Sequence, residues 1–173
     1  MRAILILIGF LLAAPAMVAA APAAPGGAPT AAPGGAPPYP PGVRQALDRH
    51  NKQCLDEGGG KGAKFGPKII RKIDLNGDGR DDYILDLDDT TCDGFESLFC
   101  GTGGCVVEIL IAQRDGSYTS IFSDTVHRYE IKPGRGVRTI RFSLHGGFCG
   151  KHGPEPCAKT RRITGKPFKL RDY

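Results

Sequence analysis

Apolar residues recur at two different spacings along this chain, and these spacings predict one helix followed by β-strands. In residues 43–57, Val43, Leu47 and Cys54 fall on one helical face, after a proline pair and before a run of glycines. From residue 69 onward, apolar and polar residues alternate with a period of two, which is typical of strands that bury one face. The pattern predicts a mainly β domain with one N-terminal helix.

The alternating region divides into about seven short strands separated by tight turns. Residues 106–112 are nearly all apolar, which indicates a central strand buried on both faces. The predicted strand segments are residues 69–75, 83–87, 106–112, 118–122, 127–131, 138–144, and a last hairpin of 161–163 with 168–170. Alternation predicts an inward face made of Ile69, Ile73 and Leu75 in the first segment, and one made of Ile140, Phe142 and Leu144 in residues 138–144. Strands joined by short turns favour an antiparallel meander sheet, which either stays open or curls into a partly closed barrel.

The first twenty residues have the pattern of a secretory signal peptide. Arg2 precedes an apolar run, and small residues up to Ala20 provide a cleavage site before Ala21. An uncleaved membrane anchor is the alternative, but the apolar run is shorter than the roughly 20 residues that a transmembrane helix needs. We therefore expect residues 1–20 to be removed, and the mature protein to be periplasmic or secreted, without a transmembrane segment.

Residues 21–42 consist almost entirely of alanine, proline and glycine. Such a segment has too few large apolar side chains to offset the loss of chain entropy, so we expect a disordered linker. A proline-rich docking motif is the alternative interpretation. Residues 43–173 are then long enough for a single β-rich domain with its own core.

Six cysteines lie in this domain, and an even number behind a signal peptide predicts three disulfides. Six cysteines permit many connectivities, so spacing alone does not decide the pairing. Two pairs enclose short glycine-rich loops, and closing each of these loops on itself leaves one long-range pair. The expected disulfides are Cys54–Cys92, Cys100–Cys105 and Cys149–Cys157.

A zinc site is the alternative use of two of these cysteines. Cys149 and Cys157 lie close in sequence to His145 and His152, and zinc binds thiolate and imidazole ligands. Their spacing is wider than the usual pair of zinc-binding cysteines, which favours the disulfide.

The chain has 23 Lys and Arg against 18 Asp and Glu, a net charge of +5 that becomes +4 when Arg2 is removed with the signal. This mild excess is below what dedicated nucleic-acid-binding domains show, so no nucleic-acid partner is expected. The basic residues concentrate late in the chain: Lys159, Arg161, Arg162, Lys166, Lys169 and Arg171, with Arg135, Arg138 and Arg141 on the outer strand faces. They form either a patch for an extracellular anionic polymer or a solvated face that balances the acidic middle of the chain.

Nucleophile-elbow, zinc-protease, P-loop and dinucleotide-binding motifs do not occur in the sequence. We therefore predict no catalytic and no cofactor-binding residues, and expect a non-enzymatic binding or interaction module. Asp86, Asp88 and Asp89 leave a hydrolase acting on the cell envelope, or an inhibitor of one, as the alternative, since glycosidases use paired carboxylates.

Oxygen-bearing side chains alternate between two predicted strands. Asp74, Asn76 and Asp78 occupy every second position, Gly79 allows a sharp turn, and Asp82 closes the run. Ca²⁺ takes 6–8 oxygen ligands, and alternate residues of a tight loop can direct their oxygens to one point. The loop predicts a calcium site in which the carbonyl of Arg80 is a further ligand. An ordinary Asp/Asn/Gly turn without metal is the alternative.

The stretch from Asp74 to Leu85 resembles the calcium loop of integrin-type FG-GAP and VCBS repeats. The resemblance implies side-chain ligands at Asp74, Asn76, Asp78 and Asp82 and a carbonyl ligand at Arg80. The loop occurs once, so the propeller architecture of those families is not implied. An EF-hand is not expected either, because strands flank the loop and its twelfth residue is Leu85 rather than glutamate. The cysteine-rich remainder resembles small secreted bacterial proteins, a resemblance that implies no activity.

Overall fold

The computed structural model describes residues 39–57, 60, 62–92, 95 and 98–171. The predicted signal peptide and residues 21–38 of the predicted linker lie outside the described residues. Within those ranges, one α-helix accompanies ten strands in three antiparallel sheets, and three disulfides cross-link the chain. The predicted fold class, a mainly β domain with one N-terminal helix and disulfides, is confirmed.

Helix α1 spans Pro41–Glu57 and begins two residues before the predicted start. Proline suits the first turn of a helix because its missing N–H would have no intrahelical partner there. The helix buries one face against the domain: Val43, Ala46, Leu47, His50 and Cys54. Among the described residues, no helix is both long and apolar enough to cross a bilayer.

The strands in chain order are β1 Ala63–Phe65, β2 Ile70–Ile73, β3 Asp82–Asp86, β4 Thr90–Cys92, β5 Cys100–Gly101, β6 Gly104–Ala112, β7 Tyr118–Val126, β8 Arg128–Lys132, β9 Thr139–Leu144 and β10 Cys157–Arg162. Strand β6 is the hub of a five-stranded sheet, since it pairs with β3, β5 and β7, and β3 pairs with β2. A three-stranded sheet has β9 between β8 and β10, and β1 pairs with β4. None of these sheets closes into a barrel over the described ranges.

Two apolar cores lie on opposite faces of the five-stranded sheet. One core joins this sheet to the three-stranded sheet, and the predicted inward residues Ile140, Phe142 and Leu144 are buried in it. The other core joins the sheet to helix α1 and includes Tyr83 and Leu85. Of the three residues predicted to share one inward face, Ile73 and Leu75 contact the first core and Ile69 contacts the second, since the sheet is covered on both sides.

The predicted last hairpin is only half present. Strand β10 pairs with β9, but the segment from Phe168 to Leu170 forms no strand. Pro167 has no N–H to contribute to a strand ladder. Phe168 instead donates its backbone N–H to the carbonyl of Ile121 at 3.0 Å and stacks its ring on Phe122, with ring centroids 4.9 Å apart.

All three expected disulfides are found. Cys54–Cys92 joins helix α1 to β4, with Cα atoms 5.4 Å apart, and Cys100–Cys105 links directly opposed residues of β5 and β6. Cys149–Cys157 closes the loop that precedes β10. The last pair removes the zinc alternative at these cysteines, because sulfurs joined in a disulfide offer no thiolate ligands.

An ion cluster around one buried carboxylate, which was not predicted from the sequence, fastens helix α1 to the five-stranded sheet. Glu108 lies on β6 with only 3% of its surface exposed. Its carboxylate accepts hydrogen bonds from Arg49 Nη2 and from His50 Nε2, each at 2.8 Å. Burial opposes ionisation, but the hydrogen bonds from His50 and Ser120 and the nearby cations outweigh it and lower the pKa of Glu108. The ionised carboxylate therefore holds the helix in place.

We predict that Glu108→Gln lowers the free energy of unfolding by about 2 kcal/mol, because the amide retains the shape but loses the charge that Arg49 and His50 need. Denaturant unfolding of the mature domain measures this change. The matched control is Glu130→Gln on β8, an exposed carboxylate whose loss is expected to change stability by less than about 0.5 kcal/mol. Equal effects of the two substitutions would contradict the anchoring role.

The same cluster predicts an acid-dependent loss of stability. Because the folded-state pKa of Glu108 is lowered, its contribution is complete above the unfolded-state pKa and is lost as pH falls through the folded value. The difference in unfolding free energy between wild type and Glu108→Gln should therefore be constant near neutral pH and shrink below about pH 4. A difference that instead grew on acidification would rule out an ionised Glu108.

Candidate functional site

The predicted calcium loop connects β2 to β3, as expected, and two glycines shape it. Gly77 and Gly79 have φ values of 77° and 81°, a conformation that residues with a side chain rarely adopt. A Cβ at Gly77 would also lie 2.6 Å from the backbone carbonyl carbon of Gly136. The loop therefore packs tightly against the turn between β8 and β9.

Asp82, the last predicted ligand, is fully buried at the start of β3. Its carboxylate accepts the backbone N–H of Leu75 at 2.8 Å and that of Ala112 at 2.9 Å. Burial raises its pKa, with a further contribution from the charge of Asp78, although the backbone hydrogen bonds act in the opposite direction. Asp82 ties the two ends of the loop to the end of β6.

The other predicted ligands are engaged in hydrogen bonds within the loop. Asp74 accepts the backbone N–H groups of Gly77 at 2.8 Å and Gly79 at 3.0 Å. Asn76 Nδ2 donates to Asp78 Oδ2 at 2.7 Å, and the Arg80 guanidinium donates to the same oxygen. Burial opposes ionisation of Asp78, but the Arg80 N–H, the Asn76 amide and the Arg80 charge together lower its pKa.

The loop offers the oxygen ligands that calcium prefers, because carboxylate, amide and carbonyl oxygens bind hard cations. In the described residues, however, Asp74, Asp78 and Asp82 do not bring three carboxylate oxygens within 4.8 Å of one another. Asp78 faces the guanidinium of Arg80 instead. Calcium binding would exchange this guanidinium for the ion.

One group in the described residues does place its possible ligand atoms within 4.8 Å of one another. It consists of Asp88, Cys100 and Cys105. Both cysteines form a disulfide with each other, so neither sulfur is a thiolate. The 3.3 Å approach of Cys105 Sγ to Asp88 Oδ1 is accordingly a contact between a disulfide and a carboxylate. This group is not a metal centre.

The outward side of the three-stranded sheet, which we call the basic face, carries four exposed cations and one exposed carboxylate. Register places Glu130 opposite Arg141, and the neighbouring rows bring three further cations to the same side. The exposed charged residues of the basic face are Arg128, Glu130, Lys132, Arg141 and Arg162. Arg141 and Arg162 belong to the predicted late basic cluster, whereas Arg128 and Lys132 were not predicted.

Other residues of the predicted basic cluster are directed elsewhere. Arg138 Nε donates to the carbonyl of Asp74 at 2.7 Å, and Arg171 places its guanidinium 4.8 Å from the ring centre of Phe148. Lys159 donates to the carbonyl of Leu170. The late cations therefore do not form one continuous patch, because several of them hold the C-terminal segment and the Asp loop.

A cleft of 730 Å³ borders the basic face. Arg141 and Ser143 contribute to its wall from β9, and Thr102 from the turn between β5 and β6. His127 and His145 also line it, with their ring centroids 6.3 Å apart. His145 was considered only as a ligand of the alternative zinc site, and its approach to His127 was not predicted, because only strand pairing brings the two rings together.

A second cleft of 410 Å³ also contains His127 and adds the acidic residues Asp86 and Asp88. Burial raises the pKa of Asp86. Burial, with help from the charge of Asp86, raises the pKa of Tyr129 to about 12. The cleft thus places a carboxyl group with raised pKa beside a second carboxylate.

Comparison of the chain with family models, curated proteins and solved structures gives no match. The resemblance of the Asp loop to FG-GAP and VCBS repeats therefore stays a prediction.

We predict that about 10 mM calcium raises the free energy of unfolding by about 1–3 kcal/mol relative to chelator, because extracellular calcium modules have dissociation constants of 10⁻⁴–10⁻³ M. Calorimetric melting in calcium and in chelator measures the change. Asp78→Asn should abolish the response. Asp81→Asn is the control: this neighbouring carboxylate pairs with Lys72 at 2.7 Å and is not a predicted ligand, so the variant should respond like wild type. Identical melting in both solutions would exclude a calcium site.

Proposed function

We propose that the chain is an exported, non-enzymatic binding module that recognises an anionic polymer outside the cell. The observation that carries the proposal is the basic face, on which four exposed cations accompany one carboxylate. A sheet face of this composition presents its cations at fixed spacings on a rigid support. Regular spacing suits a polymer whose negative groups repeat along a chain.

The charges of the basic face lie close enough to act together. Arg141 lies diagonally across from Arg128, Lys132 and Arg162, one strand and two residues away from each. With strands about 4.8 Å apart and alternate residues about 6.7 Å apart, this diagonal is about 8 Å, close to the Debye length at physiological salt. Glu130 pairs with Lys132 and faces Arg141, so it offsets one cation and leaves a net charge of +3 on the face. Arg128, Arg141 and Arg162 therefore account for the remaining positive charge.

Within this proposal, calcium in the Asp loop steadies the sheet that presents the cations. The loop contacts the start of β9 through Arg138, whose backbone N–H donates to the carbonyl of Leu75 at 2.8 Å and whose side chain donates to Asp74. Arg141 follows three residues later on β9. An ion held by Asp74, Asn76, Asp78, Asp82 and the Arg80 carbonyl would restrain this junction.

A location outside the cytoplasm fits the three disulfides, because such bonds persist in oxidising compartments. The signal-like pattern of residues 1–20 supports the same location, which is the periplasm or the cell exterior.

We predict that the mature domain binds immobilised heparin, with affinity that falls steeply as salt concentration rises. The double substitution Arg141→Gln with Arg162→Gln should weaken binding about tenfold, because it removes two of the four cations. The control is Lys52→Gln, an exposed cation on helix α1 that pairs with Asp56 and lies off the basic face. Binding that is absent, or equally weakened by Lys52→Gln, would contradict the proposal.

A cell-envelope hydrolase is the second candidate function, and the cleft with Asp86 is the observation that favours it. A carboxyl group with raised pKa can serve as a general acid, and Asp88 could assist from the same cleft. A cation-rich sheet face is not needed for such chemistry. We therefore rank the hydrolase second.

Release of reducing ends from purified envelope polysaccharides distinguishes the two functions. We expect no release by the wild-type domain. Release that is abolished by Asp86→Asn but retained by Asp89→Asn, a nearby acidic residue outside that cleft, would establish the hydrolase instead.

A further inference from the structure

We infer that the cleft between His127 and His145 is a subsite for one oxyanion of the polymer, a phosphate or a sulfate ester. The inference rests on the proposed function and deepens it, since it assigns a specific pocket to a group that the basic face alone would bind only by charge.

Hydrogen-bond donors reach this cleft from separate parts of the chain. His127 lies at the junction of β7 and β8, and its backbone N–H donates to the carbonyl of Ser143 at 2.9 Å, which fixes it beside β9. Arg141 and Ser143 provide a guanidinium and a hydroxyl, and Thr102 provides a second hydroxyl. A guanidinium with several surrounding donors matches an oxyanion, because each oxygen can accept more than one hydrogen bond.

The orientation of His145 supports an anionic ligand. Its Nδ1 accepts the backbone N–H of Gly147 at 3.3 Å, so the neutral ring carries its proton on Nε2 and can donate from that atom. A Cβ added to Gly153 would lie only 2.4 Å from this Nε2. Gly153 therefore packs closely against this edge of the ring, and a methyl group at position 153 would push His145 out of its place in the cleft wall.

The remaining wall limits what can enter. Glu155 lines the cleft, and its Oε1 accepts the backbone N–H of His152 at 3.0 Å, which holds the loop closed by Cys149–Cys157. Pro154 and Pro156 offer apolar surface that suits the carbon skeleton of a sugar or polyol. The carboxylate of Glu155 in the wall disfavours a second anionic group in the same cleft, so the cleft suits one oxyanion on a longer chain.

Two imidazoles could in principle hold a transition metal instead. The hydrogen bond to Gly147 engages the free lone pair of His145, and the adjacent Arg141 guanidinium repels a cation. The geometry therefore favours the anion, and zinc becomes one arm of the test.

The test follows the imidazole NMR signals of His127 and His145 in the mature domain while inorganic phosphate, inorganic sulfate or zinc is added. We expect phosphate or sulfate to shift both signals, and the two anions distinguish a phosphate from a sulfate site. Gly153→Ala should weaken this response about tenfold, because its methyl group displaces His145. The control is Gly101→Ala, since a Cβ there meets no atom within 4 Å.

Binding to heparin and to polyphosphate is measured on the same variants. A failure of the subsite can then be distinguished from a failure of the proposed polymer-binding function. Polymer binding without any imidazole shift from either anion, and unchanged by Gly153→Ala, would overturn the subsite and leave the basic face standing. Anion-dependent shifts without polymer binding would support the subsite and overturn the proposed function. Shifts produced by zinc alone, or equal loss in Gly153→Ala and Gly101→Ala, would overturn the subsite.

Discussion

Strand β6 runs through the middle of the domain with apolar side chains on both faces, and each face has to be covered. Helix α1 covers one face, and the three-stranded sheet covers the other. This requirement creates the surfaces that carry the candidate chemistry. The basic face is the outer side of the covering sheet, and the Asp loop lies where Asp82 reaches the end of β6 through Ala112.

Local features of the fold were predictable because they depend on neighbouring residues. Alternation along β9 placed Ile140, Phe142 and Leu144 inside and Arg141 outside, and the structure agrees. Closing the two short glycine-rich loops on themselves also led to the correct cysteine pairs. The division into three sheets was not predictable, since it depends on pairings between distant segments such as β1 with β4, which one short apolar pattern does not encode.

In the candidate sites too, features of neighbouring residues were predictable, whereas contacts between distant segments were not. The composition of the Asp loop was readable, but its partners Ala112 and Arg138 are far away in sequence. Glu108 interrupts an apolar run, which is a detectable signal, yet its partner His50 is 58 residues away. His127 and His145 are 18 residues apart in the sequence, and only the pairing of β8 with β9 makes them neighbours.

The position of the Cys54–Cys92 bond has a mechanical consequence. Helix α1 is the first described element of the domain, so tension applied from the N-terminal side enters at Pro41 and peels the helix from that end. Val43, Leu47 and the His50–Glu108 pair would detach in turn, each resisting only through noncovalent contacts. Peeling then stops at Cys54, where a covalent link carries the force to β4. A domain tethered in this way can yield under a pull without unravelling its sheets.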